Sequence, residues 1–275
     1  MSADYFYDFE QILFKEGIMK EYVLITGASS GIGESLAESF AEDSYSLILL
    51  ARREDKLKLV KEKCLTLNPN IKVHTLKADV RSEEELEKVN NFIKENNINL
   101  KIVVANAGFG VAGKARKLCL EDYKNQFETN IYGVLRTFYS FKDDLIKSKG
   151  HFAILGSVSS YYSSPNLTPY SMSKFAVRAF AEGITPEMKE VGVKCTLICP
   201  GFVESEIRHV NNKGKYNPKS KDPVPNWLIM DTKKAAHKMK KAILKNKKEV
   251  IITAHGKVIV WLKRHFPIIL EILGI

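Results

Sequence analysis

The sequence predicts an α/β fold in which one doubly wound parallel sheet of about seven strands carries helices on both faces. Short, uniformly apolar runs alternate with longer helical patterns, which is typical of strands buried on both sides by crossover helices. The chain has 275 residues, of which 45% are hydrophobic, enough for one substantial core. Neither an internal repeat nor a Pro/Ser-rich linker divides it, so we expect a single domain.

The apolar runs give the predicted strands. The first ends in a glycine-rich turn, and the sixth is closed by Pro200 and Gly201. In chain order the predicted strands are residues 22–26, 46–50, 72–76, 101–105, 151–156, 193–198 and 249–253.

The predicted helices follow from apolar periodicity and end signals. Residues 32–42 carry an apolar stripe, residues 54–67 form a charged amphipathic helix stopped near Pro69, and Ser82 with Glu85 forms a capping box for the next helix. The remaining predicted helices are residues 120–139, 170–191 and 231–245.

The predicted division of the chain is an N-terminal extension over residues 1–18, a domain over residues 19–255, and an apolar, basic C-terminal segment over residues 256–275. The extension mixes acidic and aromatic residues without a basic start or an apolar block, so it does not predict a secretion signal. It can form a short helix on the domain, stay partly disordered, or precede a true start at Met19.

Cysteine and histidine usage narrows the function classes. The four cysteines, Cys64, Cys119, Cys195 and Cys199, form no CxxC pair, and they predict reduced thiols in a reducing, cytoplasmic compartment. The six histidines show no HExxH or similar ligand spacing, so no metal site is predicted.

A glycine-rich turn follows the first predicted strand and predicts a dinucleotide site. Its Gly-x-x-x-Gly-x-Gly spacing differs from G-x-G-x-x-G, but the physical requirements are the same: a tight turn and close backbone approach to a pyrophosphate. The following helix presents its N-terminal N–H groups and positive dipole end to the phosphates. The predicted cofactor-binding residues here are Gly27, Ser29, Ser30, Gly31, Ile32 and Gly33.

The end of the second strand predicts which dinucleotide binds. An acidic residue there bonds the ribose hydroxyls of NAD, whereas an arginine accepts the 2′-phosphate of NADP. The strand is followed by Ala51, Arg52 and Arg53. We therefore predict NADP(H), with Arg52 as the main phosphate contact, Arg53 as a secondary one, and Ser30 as an added hydroxyl donor.

Tyr170 and Lys174 stand four residues apart, and Tyr170 has a lysine at that offset while none of the other ten tyrosines does. On a helix the two side chains share one face. The ammonium favours the phenolate and so lowers the expected tyrosine pKa, which suits Tyr170 to general acid–base work near neutral pH.

With these residues in place, the chain resembles the short-chain dehydrogenase/reductase family, from about residue 20 to 205 and weakly to about 253. The motifs occur in the family's order: TGASSGIG at the turn, Asn130 in FETNIYG, and Ser157 thirteen positions before Tyr170. The resemblance implies a Rossmann fold and further cofactor contacts, namely Asp79, Val80, Asn106, Ala107, Gly108, Tyr170, Lys174, Pro200, Gly201, Val203 and Ser205.

The resemblance implies a mechanism as well. A hydride passes between NADP(H) and a carbonyl or alcohol carbon, with Tyr170 as proton donor and Ser157 on the substrate oxygen. Lys174 tunes Tyr170 and holds the nicotinamide ribose, and Asn130 holds a relay water. A non-catalytic NADP(H) sensor is the alternative, but it has no reason to keep Asn130, Ser157, Tyr170 and Lys174 together.

The substrate is less determined. The family's substrate loop falls at about residues 206–230, where Trp227, Leu228 and Ile229 either close on an apolar substrate or pack against the sheet. With Phe109, Val111, Tyr161 and Tyr162 near the expected cleft, a hydrophobic small-molecule ketone, aldehyde or alcohol is favoured. A 3-oxoacyl thioester, a steroid-like molecule or a sugar stays open.

Most of the basic excess lies at the C-terminal end. Residues 231–275 hold eleven Lys or Arg and three acids, a net +8 of the chain's +10. Without a nucleic-acid motif, this charge does not predict nucleic-acid binding. Because apolar residues that include Trp261 accompany this charge, the segment can lie on an anionic membrane surface, pack on the chain's own domain, or cover a subunit interface. The resemblance also implies a homodimer or homotetramer.

Overall fold

The computed structural model describes residues 20–206, 212 and 224–268. The predicted N-terminal extension, most of the predicted substrate loop and the last seven residues of the C-terminal segment lie outside the described residues.

Seven strands form one sheet in the order β3-β2-β1-β4-β5-β6-β7, and every neighbouring pair is parallel. The predicted fold class is therefore confirmed. The strands are β1 (Glu21–Thr26), β2 (Ser46–Ala51), β3 (Val73–Lys77), β4 (Asn99–Ala105), β5 (His151–Leu155), β6 (Lys194–Cys199) and β7 (Glu249–Ile251).

The helices of the described residues connect these strands. They are α1 (Gly31–Glu42), α2 (Glu54–Leu67), α3 (Glu83–Glu95), α4 (Leu120–Phe127), α5 (Gly133–Ser148), α6 (Thr168–Glu190), α7 (Thr232–Leu244) and α8 (Ala254–His265).

Alternation along the buried strands produces two hydrophobic cores, one on each face of the sheet. In β1, Leu24 points into the core shared with α3, α5 and α6, whereas Val23 and Ile25 point into the core shared with α1, α2 and α7. All three side chains are fully buried. Because both faces are covered, the strands need no polar face, which is why they read as continuous apolar runs.

The predicted helix over residues 120–139 differs from the observed one. A π-helical turn at Glu128–Tyr132 separates α4 from α5, and α5 continues to Ser148. Such single π turns occur mostly inside α-helices and frequently at functional sites. This one contains Asn130.

The predicted last strand over residues 249–253 is shorter in the structure. β7 ends at Ile251, and the Thr253 side chain accepts a hydrogen bond from the Gly256 N–H as the N-cap of α8. Since α8 begins at Ala254, the predicted junction between residues 255 and 256 falls in its first turn.

Helix α8 has one face on the domain and one in solvent. Val260 is buried, while Val258 and Trp261 are more than half exposed. Among the residues that the structure describes, no helix is both long enough and apolar enough to cross a membrane.

The chain reverses its direction of winding at β1 and β4. After β1 it runs outward through β2 and β3, and it then returns to place β4 on the other side of β1. Loops at the carboxyl ends of these two strands therefore border a crevice, where open α/β sheets bind their ligands.

Candidate active site

The glycine turn after β1 is packed against the segment after β4. Gly27 has φ +67°, and a Cβ there would stand 2.8 Å from Ala107 Cα. A Cβ on Gly33 would overlap the Gly27 carbonyl oxygen and approach Asn106 Nδ2 to 2.7 Å. The absent side chains therefore bring the start of α1, β1 and the loop after β4 into contact, so that the backbone of the turn can approach a pyrophosphate closely.

Thr26 and Asn106 fix this turn by hydrogen bonds. The Asn106 amide Nδ2 donates to the Thr26 carbonyl at 2.8 Å and to the Gly27 carbonyl at 3.2 Å. The Thr26 hydroxyl accepts from the backbone N–H groups of Asn106 and Ala107, both at 3.0 Å. The described contacts of Asn106 thus stabilise the turn itself.

Arg53 lies against the two serines of the turn. Its Nη2 donates to Ser30 Oγ at 2.7 Å and to Ser29 Oγ at 3.2 Å. The same nitrogen makes a 2.7 Å ion pair with the Glu206 carboxylate. Glu206 was not predicted from the sequence as a site residue.

Arg52 is exposed and lies close enough to Asp79 for their charges to interact. Desolvation raises the pKa of Asp79, but the hydrogen bonds and the charge of Arg81 outweigh it, with a smaller contribution from the charge of Arg52. The pKa of Asp79 therefore lies below its ordinary value. Asp79 pairs with Arg81 at 2.6 Å. Val80 is buried, and a Cβ on Gly133 would approach its Cγ2 to 2.7 Å.

Asn130 is fully buried in the π turn and bonds the backbone of Phe109. Its Oδ1 accepts from the Phe109 N–H at 3.1 Å, and its Nδ2 donates to the Phe109 carbonyl at 3.0 Å. The same Nδ2 lies 3.2 Å from Ser173 Oγ, which donates to the Tyr170 carbonyl at 2.7 Å. Ser173 therefore joins Asn130 to the helical turn that carries Tyr170.

Two polar residues in this region were not predicted as site residues. Besides Ser173, the buried Gln126 donates to the Phe109 carbonyl at 2.8 Å and accepts from the Val111 N–H at 2.6 Å. Gln126 precedes Asn130 by four residues, and Ser173 follows Tyr170 by three, so their helical spacing was the signal that could have identified them.

Lys174 is the most deeply buried cation of the site. Its Nζ donates to the Leu155 carbonyl at the end of β5, at 2.7 Å, and lies 5.8 Å from the centroid of the Tyr170 ring. Desolvation lowers the pKa of Lys174 from 10.5 to about 8. The Tyr170 ring is half-buried beside Gly110.

Ser157 begins the short 3₁₀ turn Val158–Ser160, two residues after the Leu155 carbonyl that binds Lys174. Its hydroxyl accepts from the Ser159 N–H at 3.1 Å, and its backbone N–H donates to Ser160 Oγ at 3.2 Å. The structure thus places Ser157 on the strand end that also receives Lys174.

The segment after β6 closes the site from the other side. The Val158 N–H donates to the Pro200 carbonyl at 2.8 Å, and Val203 bridges to Met230. The Phe202 N–H donates to His255 Nε2 at 3.1 Å, and the two rings stack at 5.3 Å. A Cβ on Gly31 would stand 3.4 Å from Ser205 Cβ, so this segment reaches the glycine turn.

The residues fit a dinucleotide. The glycine turn leaves a cradle that side chains would fill, and Arg53 with two serine hydroxyls forms a set of donors for an anion. In the part of the chain that the structure describes, no group of three or more His, Cys, Asp or Glu is placed to hold a metal ion.

Comparisons with known sequences identify relatives along most of the chain. The family model for short chain dehydrogenase matches residues 21–215. The 11-beta-hydroxysteroid dehydrogenase A of Sesamum indicum is 30% identical over 271 residues, which cover 94% of this chain and 76% of the relative. Sulfoacetaldehyde reductase 2 of Chromohalobacter salexigens is 34% identical over 199 residues, 71% of this chain and 78% of the relative.

Solved structures show the same fold. An alcohol dehydrogenase from the archaeon Thermococcus sibiricus, complexed with 5-hydroxy-NADP, is 28% identical, has a TM-score of 0.73, and covers 86% of this chain and 97% of its own. A short chain dehydrogenase/reductase from Burkholderia phymatum in complex with NAD, 22% identical with a TM-score of 0.79 over 92% of this chain and 95% of its own, supports the fold alone. Together with the family model, which matches more than half of the sequence, these findings establish that the chain belongs to the short-chain dehydrogenase/reductase family of nicotinamide-dependent oxidoreductases.

Proposed function

We propose that this protein interconverts a carbonyl and an alcohol on a hydrophobic small molecule, using NADP(H) and the residues Asn130, Ser157, Tyr170 and Lys174. The observation that carries the proposal is a buried ammonium, Lys174 Nζ, placed 5.8 Å from the Tyr170 ring and bonded to a neutral carbonyl. A positive charge in that position stabilises the phenolate and so makes Tyr170 a proton donor and acceptor.

Each side chain has a separate task. In reduction, Tyr170 gives its proton to the substrate oxygen, and the Ser157 hydroxyl donates a hydrogen bond to the same oxygen as negative charge develops. Lys174 stabilises the phenolate that remains and binds the ribose next to the nicotinamide. Asn130 holds a water that returns protons to Lys174. When bound, the nicotinamide supplies or accepts the hydride.

The cofactor residues divide by position. The turn residues Gly27, Ser29, Ser30, Gly31, Ile32 and Gly33 hold the pyrophosphate side, and Asp79 and Val80 border the adenine. The remaining residues lie behind or around the nicotinamide half; they are Asn106, Ala107, Gly108, Pro200, Gly201, Val203 and Ser205.

The preference for NADP(H) rests on the arginines after β2. Arg53 contacts both serine hydroxyls of the turn, whereas Arg52 is exposed near Asp79. These contacts support Arg53 as the larger 2′-phosphate contributor, which reverses the order that the sequence alone suggested. Parallel titration with NADPH and NADH tests the preference, and tighter NADH binding would overturn it.

The substrate proposal rests on the apolar residues at the crevice and on relatives. Trp227 is 83% exposed, so in the structure it does not pack against the sheet. Among the relatives are a hydroxysteroid dehydrogenase and a sulfoacetaldehyde reductase, so both hydrophobic and small polar carbonyls belong in a substrate panel. Ketones, aldehydes, alcohols and 3-oxoacyl thioesters, followed by NADPH absorbance, cover the classes.

Tyr170→Phe tests the proposed chemistry. The variant loses the proton donor but keeps the ring, so turnover should fall by roughly 10²- to 10⁴-fold while NADPH binding stays close to that of the wild type. Tyr45→Phe, which removes a hydroxyl from a half-buried tyrosine just before the amino end of β2 and away from the crevice, is the matched control and should retain turnover. Near-normal turnover by Tyr170→Phe contradicts the assignment. If no carbonyl or alcohol in the panel reacts although NADPH binds, the non-catalytic sensor is favoured.

The C-terminal helix supports a further proposal on partners. Val258, Trp261, Phe266 and Ile268 of the C-terminal end are exposed next to Lys257 and Arg264, a combination that suits an anionic membrane surface. Co-sedimentation with phosphatidylserine-containing vesicles tests this: Trp261→Ala should reduce binding, and Trp227→Ala, which changes an exposed tryptophan elsewhere, should not. Equal binding by all three proteins removes the proposal.

Two exposed tyrosines, one at the end of the π turn and one on α5, support self-association. Tyr132 and Tyr139 are both more than half exposed and line one groove with Leu135 and Arg136. Aromatic residues and arginine are enriched at subunit interfaces. We expect a homodimer or homotetramer, which light scattering coupled to gel filtration measures directly; a monomer at micromolar concentration contradicts it.

A further inference from the structure

Between the glycine turn and the end of β2, a cluster of side chains binds a carboxylate that belongs to the protein itself. Arg53 Nη2 donates to Ser30 Oγ and to Ser29 Oγ, and it pairs with Glu206 Oε2 at 2.7 Å. Glu206 also accepts a hydrogen bond from the Ser30 hydroxyl. A guanidinium and a serine hydroxyl thus converge on one carboxylate.

These donors are of the kind that binds a phosphate monoester. An arginine at the end of the second strand is where an adenosine 2′-phosphate is recognised in this type of sheet, and guanidinium–phosphate bonds are charge-assisted. The Glu206 carboxylate therefore occupies donors that the 2′-phosphate needs. Two anions on one guanidinium repel each other, so they cannot both be held there at full strength.

The Arg53–Glu206 pair is suited to exchange because it is not buried. The two side chains are 38% and 34% exposed, and ion pairs that are this exposed to solvent contribute little net stability. Desolvation raises the pKa of Glu206, but the hydrogen bonds from Arg53 and Ser30 and the charges of Arg53 and Lys56 outweigh it. The pKa is therefore lowered, and the carboxylate is charged at neutral pH. A dianionic phosphate can displace such a partner at small cost.

We propose that Glu206 is a specificity-determining residue that competes with the adenosine 2′-phosphate for Arg53 and Ser30, and so sets how strongly NADP(H) is preferred over NAD(H). The inference rests on the proposed cofactor site. Glu206 restrains the binding of the phosphorylated dinucleotide and leaves the binding of the unphosphorylated one nearly unchanged. Its charge is an adjustable part of cofactor choice, separate from the arginines that attract the phosphate.

The test measures binding without turnover. Adenosine 2′,5′-bisphosphate and adenosine 5′-monophosphate are titrated calorimetrically into the full-length wild type and Glu206→Gln, which keeps the side-chain size and removes the charge. The dissociation constant for the bisphosphate should fall about three- to tenfold, from loss of a weak competing ion pair and of anion repulsion. That for the monophosphate should stay within about twofold, since it has no 2′-phosphate to compete for Arg53.

Glu204→Gln is the matched control. Glu204 is two residues away and exposed, so its substitution removes the same unit of charge without touching Arg53. It should leave the bisphosphate affinity near that of the wild type. A double-mutant cycle adds the second measurement: in an Arg53→Ala background, Glu206→Gln should lose most of its effect, because the competitor no longer has a shared partner.

The outcomes separate this inference from the proposed function. Unchanged or weaker bisphosphate binding by Glu206→Gln overturns the competition, as does an equal gain from Glu204→Gln. A gain in Glu206→Gln combined with no turnover on any carbonyl or alcohol keeps the competition and refutes the proposed reaction. Turnover with NADPH that coexists with an unchanged Glu206→Gln affinity refutes the competition alone.

Discussion

Lys174 and Arg53 lie in two parts of the same crevice and have opposite kinds of partner. Lys174 is 6% exposed and donates to a neutral main-chain carbonyl, whereas Arg53 is more than a third exposed and faces a carboxylate. Among the described residues, no carboxylate forms an ion pair with Lys174. Its charge is therefore uncompensated and desolvated, while the charge of Arg53 is already neutralised by Glu206.

The difference explains what each cation can do. An uncompensated charge in a low-dielectric position acts strongly on its neighbour, and its own proton is held less tightly, as the lowered Lys174 pKa indicates. The charge of Arg53 lies near solvent and is neutralised by Glu206, so it attracts another anion strongly only when that anion replaces Glu206. The first arrangement suits proton chemistry at Tyr170, and the second suits recognition of a ligand phosphate.

Removing the uncompensated charge should have the largest effect. We expect Lys174→Met to lower turnover by about 10²-fold or more, because Tyr170 loses the ammonium that stabilises its phenolate. Steady-state kinetics at saturating NADPH measure this. Lys189→Met, which removes an exposed charge from the same helix α6, is the control and should retain turnover. Turnover by Lys174→Met near the wild-type rate contradicts the role of the ammonium.

The pH dependence of stability should carry the signature of the same lysine. Its folded pKa is lowered to about 8 from 10.5, so between those values the unfolded chain binds more protons than the folded one. The free energy of unfolding contributed by Lys174 should therefore rise with pH across that window, by up to about 3 kcal/mol. Urea unfolding of the wild type and Lys174→Met at pH 7.5 and 10 measures it. A wild-type-minus-variant difference that is flat or falls with pH contradicts the lowered pKa.

At the other cation we expect a smaller, ligand-specific effect. Arg53→Ala should weaken NADPH binding by about tenfold, the value of one charge-assisted contact, and leave NADH binding nearly unchanged. Arg52→Ala removes the same charge from a side chain without the serine contacts and should cost less. Fluorescence titration of both cofactors decides between them. An equal or larger loss in Arg52→Ala restores the order that the sequence suggested.

The smallest expected effect concerns the link between Asn130 and the Tyr170 turn. Ser173→Ala removes the hydroxyl between Asn130 Nδ2 and the Tyr170 carbonyl, and should lower the free energy of unfolding by about 1 kcal/mol. Turnover should fall several-fold at unchanged NADPH affinity. Ser171→Ala, on the same helix, is the comparison: its buried hydroxyl has no hydrogen-bond partner among the described residues, so its loss should cost less.

The fold was predictable because its signals are local. Apolar runs flanked by helical periodicity identify strands covered on both faces, and the glycine turn identifies the end of β1. General rules of α/β topology leave only a handful of possible strand orders, and the structure shows which of them the chain adopts. The π turn at Asn130 was not predictable, because the sequence around it has the same periodicity as an α-helix.

At the site, residue types were predictable but partners were not. Tyr170, Lys174 and Ser157 follow from spacing and resemblance, and their roles stay predictions. Glu206 lies 153 positions from Arg53, a distance in sequence that no local pattern reports. The contacts of Asn106 with the glycine turn are likewise long-range, since they depend on β1 and β4 being neighbours in the sheet.

The turn at Glu128–Tyr132 sets the rotational phase of everything that follows it along α5. An α-helix advances by about 100° per residue, so the extra residue decides which face of α5 meets the sheet. Phe138, Phe141 and Leu145 are buried on that face. Deleting a single residue between 128 and 132 would rotate these three side chains by about 100° away from the sheet. The cost of a change at the turn that holds Asn130 would therefore appear in the hydrophobic core.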